Sequence, residues 1–222
     1  MSRWVWLLVL AGVAGQAHEP ITTKLTWTRE ISRIIYRRCI SCHREGGKAP
    51  MSLLTYDEAR PWAKAIKEEV LERRMPPWSA VKGFGDFRND VSLSEVEIDW
   101  IAHWVEGGAP QGEEIYLPPA PNPGRQDFAA PRSKQLPLRD LTPLGRTATV
   151  VGIKLSSPPA NGSLQITAQR PDGSMEPLLW VRNYHPQAPR AYYFREPVRL
   201  PRGARIQLIP ADSREAHLLV SP

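Results

Sequence analysis

Three segments in the first half of the chain repeat their apolar residues with a helical period. Ile31, Ile34, Ile35 and Cys39 fall on one face of a first helix. Thr55 and Glu58 have the spacing of a capping box and precede a stripe of Trp62, Ile66 and Val70, with Pro61 kinking the helix or marking its first turn. The third helix is the best specified. Ser94 and Glu97 form a second capping box, Leu93 and Ile98 are placed as a hydrophobic staple, and Ile98, Ile101 and Val105 continue the stripe until Gly107 and Gly108 stop it.

Farther along, the period falls from 3.6 to 2. Val151, Ile153 and Leu155 interleave with Val150, Gly152 and Lys154, and Leu164, Ile166 and Ala168 alternate with polar neighbours. Short runs at 178–181, 191–194, 205–209 and 218–220 continue the pattern, punctuated by Pro171-Asp172-Gly173-Ser174 and Pro201-Arg202-Gly203. Between the two patterns, Leu117-Pro118-Pro119-Ala120-Pro121-Asn122-Pro123-Gly124 can continue neither a helix nor a central strand. The predicted fold class is therefore two domains, a small all-α domain followed by an all-β antiparallel sandwich. The expected boundaries are 18–116 for the helical domain, 117–137 for a Pro-rich linker and 138–222 for the sandwich.

Residues 1–17 carry one basic residue, Arg3, an apolar run over 4–13, and small residues at Gly15 and Ala17. This is the pattern of a signal peptide cleaved near Ala17, with an apolar core shorter than the roughly 20 residues that span a bilayer. The expected location is periplasmic or extracellular. Charge separates the halves again: 18–117 has 14 Lys and Arg against 16 Asp and Glu, net −2, whereas 118–222 has 14 against 7, net +7. The arginines of the basic half are scattered, and export removes nucleic acid as a partner. An ordinary solvated surface is the first explanation of this charge and a docking patch the second; the expected partners are redox proteins, among them an acidic or membrane-bound oxidoreductase, and no small-molecule substrate is identified.

The chemistry concentrates in Cys39-Ile40-Ser41-Cys42-His43, the c-type haem attachment sequence. Two thiols at this spacing add across the two vinyl groups of one porphyrin, and the next residue supplies the proximal histidine. One such sequence implies one covalent haem c, bound through Cys39 and Cys42, with His43 on the iron. A zinc site would need further ligands, and the chain has no other cysteine. A thioredoxin-like pair follows a strand, whereas this pair ends a predicted helix. For the sixth position the first choice is Met75, in Arg73-Arg74-Met75-Pro76-Pro77-Trp78, where two prolines restrict the loop. The alternatives are His103 and an open or other sixth position; Met51, eight residues beyond His43, is expected to pack in the core. Arg73 and Arg74 suit either haem propionates or a helix C-terminus, and Trp78, Trp100 and Trp104 suit either a haem pocket or an ordinary core.

Taken with Ala49-Pro50-Met51-Ser52-Leu53-Leu54-Thr55-Tyr56, Gly83-Phe84-Gly85-Asp86-Phe87 and Gly107-Gly108-Ala109-Pro110, these motifs resemble the monohaem class I cytochrome c domains of bacterial secreted proteins over about 25–114. The resemblance implies His43 and Met75 as axial ligands and an electron-transfer role. More weakly, Arg170-Pro171-Asp172-Gly173, Leu178-Leu179-Trp180-Val181-Arg182-Asn183-Tyr184 and Val198-Arg199-Leu200-Pro201-Arg202-Gly203 look like the closing strands of the carboxy-terminal domain of copper type II ascorbate-dependent monooxygenases. Copper sites of that class use several histidines and a methionine, and this half has only His185 and His217. The expected function is an exported one-electron carrier with a β docking domain, rather than a catalyst. The competing function is the haem subunit or domain of a copper- or haem-dependent oxidoreductase.

Overall fold

The computed structural model describes residues 23–121, 128–156, 162–211 and 216–222. The signal segment 1–17 and part of the Pro-rich stretch, 122–124, lie outside the described residues.

The helical segments begin where side chains satisfy their free backbone donors. A wide turn, Trp27–Ile31, starts with the Arg29 N–H donating to Thr26 Oγ1 and runs directly into α1 (Ser32–Arg38). Thr55 and Glu58 form a reciprocal capping box at α2 (Tyr56–Ala59). Pro61 lies in a 3₁₀ turn, Arg60–Trp62, which joins α2 to α3 (Ala63–Leu71). That turn breaks the 3.6-residue period, so Trp62 leaves the buried stripe and is 44% exposed. Ser94 and Glu97 form the second capping box, at α4 (Glu95–Glu106). Trp27, Ile31, Ile35, Val70, Ile98, Ile101 and Trp104 make the core among these segments. The Trp104 indole N–H donates to the Pro110 carbonyl at 2.9 Å.

The strands are β1 (Lys134–Pro137), β2 (Ala148–Leu155), β3 (Leu164–Gln169), β4 (Met175–Val181), β5 (Ala191–Leu200), β6 (Arg205–Ile209) and β7 (Ala216–Val220). They form two antiparallel sheets, ordered β1-β7-β2-β5 and β4-β3-β6, whose buried residues share one core. A register shift at Val150/Gly152 marks a bulge in β2. A Cβ on Gly152 would stand 2.4 Å from the Tyr192 carbonyl oxygen, so the bulge admits only glycine without a backbone shift.

The expected pairing of an all-α domain with a separate all-β sandwich is overturned. Among the described residues the longest helix has 12 residues, and the fold is mostly β, with seven strands in two antiparallel sheets. The segment after α3 is also shared: Ala80 bridges Val181, Phe87 bridges Phe194, and both Ala80 and Phe87 are buried in the core of the sheets. The physical reason lies at the sheet edges. β4 and β5 are terminal strands with unpaired backbone groups on one side, and the chain following α3 supplies their partners. Periodicity detects buried stripes but not the loop that pairs with them. β1 also falls within 117–137, where a linker was expected, and pairs with β7.

Candidate functional site

The site is built from the end of α1 outward. Cys39 caps that helix, its N–H donating to the Ile35 carbonyl at 2.9 Å. The Cys42 and His43 N–H groups both turn back to the Cys39 carbonyl, at 3.1 and 2.9 Å. The following loop closes on this turn, because the Ala49 N–H donates to the Cys42 carbonyl and the Leu53 N–H to the His43 carbonyl, each at 3.1 Å. Gly47 makes the approach feasible: a Cβ there would stand 2.2 Å from the Cys42 carbonyl oxygen.

Both cysteines are free, and each residue as a whole is half-buried. Burial pushes the Cys39 thiol up to about 12; Arg38 opposes the rise, while Cys42 and Glu97 add to it. The His43 imidazole is held below its ordinary value by burial, with the Met51 main chain acting the other way. Its Nδ1 is buried and has no hydrogen-bond partner among the described residues. Met51 itself is half-buried and packs with Cys39 against the helical core.

Met75 follows α3. Its N–H donates to the Glu69 carbonyl at 3.2 Å, and its side chain lines a cavity of about 250 Å³ with Val70, Pro76, Trp78, Leu93 and Ile98. The cysteine motif and Met75 are both fastened to the first turn of α4. On the motif side, Arg37 and Arg38 pair with Glu97, a carboxylate whose side chain is only 8% exposed. On the methionine side, Arg73 makes two contacts to Glu95, at 2.6 and 2.8 Å. Cys39, Cys42 and His43 are not in the wall of the Met75 cavity, so the motif and Met75 share a supporting helix rather than one enclosure.

The remaining candidates fall elsewhere. His103 is exposed on α4. Arg74 pairs with Glu69 at 3.0 Å, so both arginines before Met75 are matched by glutamates. Trp104 is buried in the helical core, Trp100 is 40% exposed, and Trp78 packs against the core of the sheets. His185 Nδ1 accepts from the Gln187 N–H at 3.2 Å, and His217 Nδ1 lies 3.2 Å from Ser156 Oγ. Among the described residues no three His, Cys, Asp or Glu side chains cluster as a metal site would require.

Two elements of the site escaped the sequence pattern. Glu97 was legible as a capping residue but not as the partner of Arg37 and Arg38. Residues 79–88 lack a long alternation; the short one of Trp78 and Ala80 around Ser79, followed by Gly83 and Gly85, is the signal that marks them. Gly83 and Gly85 have φ of +79° and +87°, a conformation in which glycine carries no steric penalty.

No protein-family model, curated protein or solved structure matches this chain. Among the described residues no helix is long and apolar enough to cross a membrane.

Proposed function

We propose that the protein is an exported one-electron carrier that binds a single haem c through Cys39 and Cys42, with His43 and Met75 as axial ligands. The observation that carries the proposal is the turn at Cys39-Ile40-Ser41-Cys42-His43. Two free thiols three positions apart precede a histidine whose buried Nδ1 has no partner among the described residues, a donor set suited to a covalent porphyrin. Resemblance of 25–114 to monohaem class I cytochrome c domains supports the same reading without requiring a separate helical fold.

A haem held there supplies a reversible one-electron couple between ferric and ferrous iron. The chain's own residues do the rest. Cys39 and Cys42 would anchor it, the Gly47 loop fixes the backbone of their turn, and burial favours the neutral form of the His43 ring, the form able to ligate. The Met75 thioether is the sixth donor, of the kind that raises a potential relative to two histidines. The net charge of +7 over 118–222 favours an acidic redox partner, with an attraction that salt screens over about 8 Å at physiological ionic strength.

Optical spectra of the ferric and ferrous protein, with and without carbon monoxide, test the proposal. A six-coordinate spectrum unmoved by carbon monoxide is expected, with the methionine–iron charge-transfer band lost in Met75→Ala and kept in Met51→Ala. Rapid carbon monoxide binding by the unaltered protein would overturn the carrier reading, and loss of the band in Met51→Ala alone would overturn Met75 as ligand.

A further inference from the structure

We infer that residues 79–88 form a strap through which the β-sheets set the position of Met75. The inference rests on Met75 as an iron ligand for its functional consequence, but not for its structural content.

The strap closes the same lateral side of both sheets. At its start, the Arg182 N–H donates to the Ser79 carbonyl at 3.0 Å, and the Val81 N–H to the Trp180 carbonyl at 2.7 Å, completing the edge of β4. The chain then turns at Gly83 and Gly85 and runs along β5. There the Arg88 N–H donates to the Tyr193 carbonyl and the Arg195 N–H to the Asp86 carbonyl, both at 2.9 Å. Just beyond it, the Asn89 side chain donates to the Ala191 carbonyl at 2.9 Å and accepts from the Tyr193 N–H at 3.0 Å. Phe87 is anchored between Tyr192, at 5.5 Å between ring centroids, and Phe194, at 5.4 Å.

Only three residues separate Met75 from the first strap contact, and two of them are Pro76 and Pro77. Their rings fix φ, so a displacement of the strap has little slack to dissipate in. The third, Trp78, packs edge-on against Tyr192 at 5.2 Å and Phe87 at 6.1 Å while also lining the Met75 cavity. On the other side Met75 is tied down by its N–H to Glu69 and by the Arg73–Glu95 and Arg74–Glu69 pairs. Met75 is thus suspended between α3 and the sheets, and Phe87, Asn89 and Gly85 are positioning residues for it.

Gly85→Ala in the full chain is the test. Its Cβ would meet the Leu178 carbonyl oxygen and the Phe87 ring, each at 2.6 Å, at a φ of +87°, so the strap must shift. Asn89→Ala removes two strap contacts more mildly, should Gly85→Ala fail to fold. Gly173→Ala is the control, a positive-φ turn with open space about it that touches no strap residue. In the haem-free chain, either strap variant should accelerate hydrogen exchange at the Met75 amide by about tenfold while circular dichroism retains the sheets; Gly173→Ala should not. In the haem-loaded chain the same variants should weaken the methionine–iron band and admit carbon monoxide about tenfold faster. Folded strap variants with unchanged Met75 exchange would overturn the inference. Faster exchange in a protein whose unaltered form lacks the methionine band would uphold the strap and overturn Met75 as ligand. Faster exchange with an unchanged band and carbon monoxide rate would overturn control of the ligand by the strap.

Discussion

Phe87 stacks on Phe194 with ring centroids 5.4 Å apart and planes inclined by 23°. The first residue lies in the half of the chain with helical periodicity and the second in β5, so this contact joins parts that the sequence places in different domains. Phe87 is 4% exposed and Phe194 3%. Removing the Phe87 ring, as in Phe87→Ala, should cost about 3–5 kcal/mol, the usual range for a buried phenylalanine, measured by denaturant unfolding. Cleaving the chain within 117–121 should leave two pieces that co-elute in gel filtration. An amino-terminal piece that elutes alone and binds no hydrophobic dye would show that Phe87 and Trp78 do not need the sheets.

Acid should destabilise the fold through Glu97. Burial pushes this carboxyl up, but the Ser94 N–H and the Arg37 and Arg38 guanidinium groups outweigh burial and hold it at about 2, against an ordinary 4.5. The native state therefore binds the proton less readily than the unfolded chain. The resulting stability, about 3 kcal/mol, is fully present above pH 4.5 and disappears as pH falls towards 2. Glu97→Gln should flatten the pH dependence of unfolding in that window; an unchanged slope would place the acid sensitivity elsewhere.

The Cys39 thiol of the unmodified chain should be unreactive. With its ionisation pushed up to about 12, its thiolate fraction near neutral pH falls at least about 100-fold below that of an ordinary cysteine. Alkylation of the haem-free chain, followed by peptide mass spectrometry, should show Cys39 modified far more slowly in the native state than in denaturant. Equal rates would contradict the burial of the thiol.

Gly47→Ala should disrupt the turn at 39–43, and with it the proposed haem attachment, since its Cβ would overlap the Cys42 carbonyl oxygen at 2.2 Å. The expected result is at least about tenfold less haem incorporated at equal chain production, consistent with a 1 Å displacement of reacting groups costing orders of magnitude in rate. Gly145→Ala, with nothing within 4 Å of the added carbon and no left-handed φ, is the comparison that separates this contact from a generic glycine effect.

The parts of the fold legible in the sequence are those where local chemistry decides. Thr55 with Glu58 and Ser94 with Glu97 start helices because each pair satisfies backbone donors within four residues, and both boxes form. The alternation around Ile153 and Ile166 likewise marks strands with buried faces. What was not legible depends on contacts distant in sequence. Nothing near Phe87 announces that Phe194 will receive it, and the prolines after Leu117 interrupt the pattern of a chain whose sheets have already recruited 79–88. Trp62 shows a local failure of the same reasoning: a 3₁₀ turn rotated it off its stripe. In the site, spacing alone groups Cys39, Cys42 and His43, whereas the shared fastening of that turn and Met75 to α4 through Glu97 and Glu95 required the three-dimensional arrangement.

The most direct measurement is the mass of the protein purified from a host that matures c-type cytochromes. A single covalent haem adduct is expected, unaffected by Met75→Ala and absent when Cys39 and Cys42 are both replaced by alanine. A colourless chain of unmodified mass, from cells that load a control cytochrome, would contradict it.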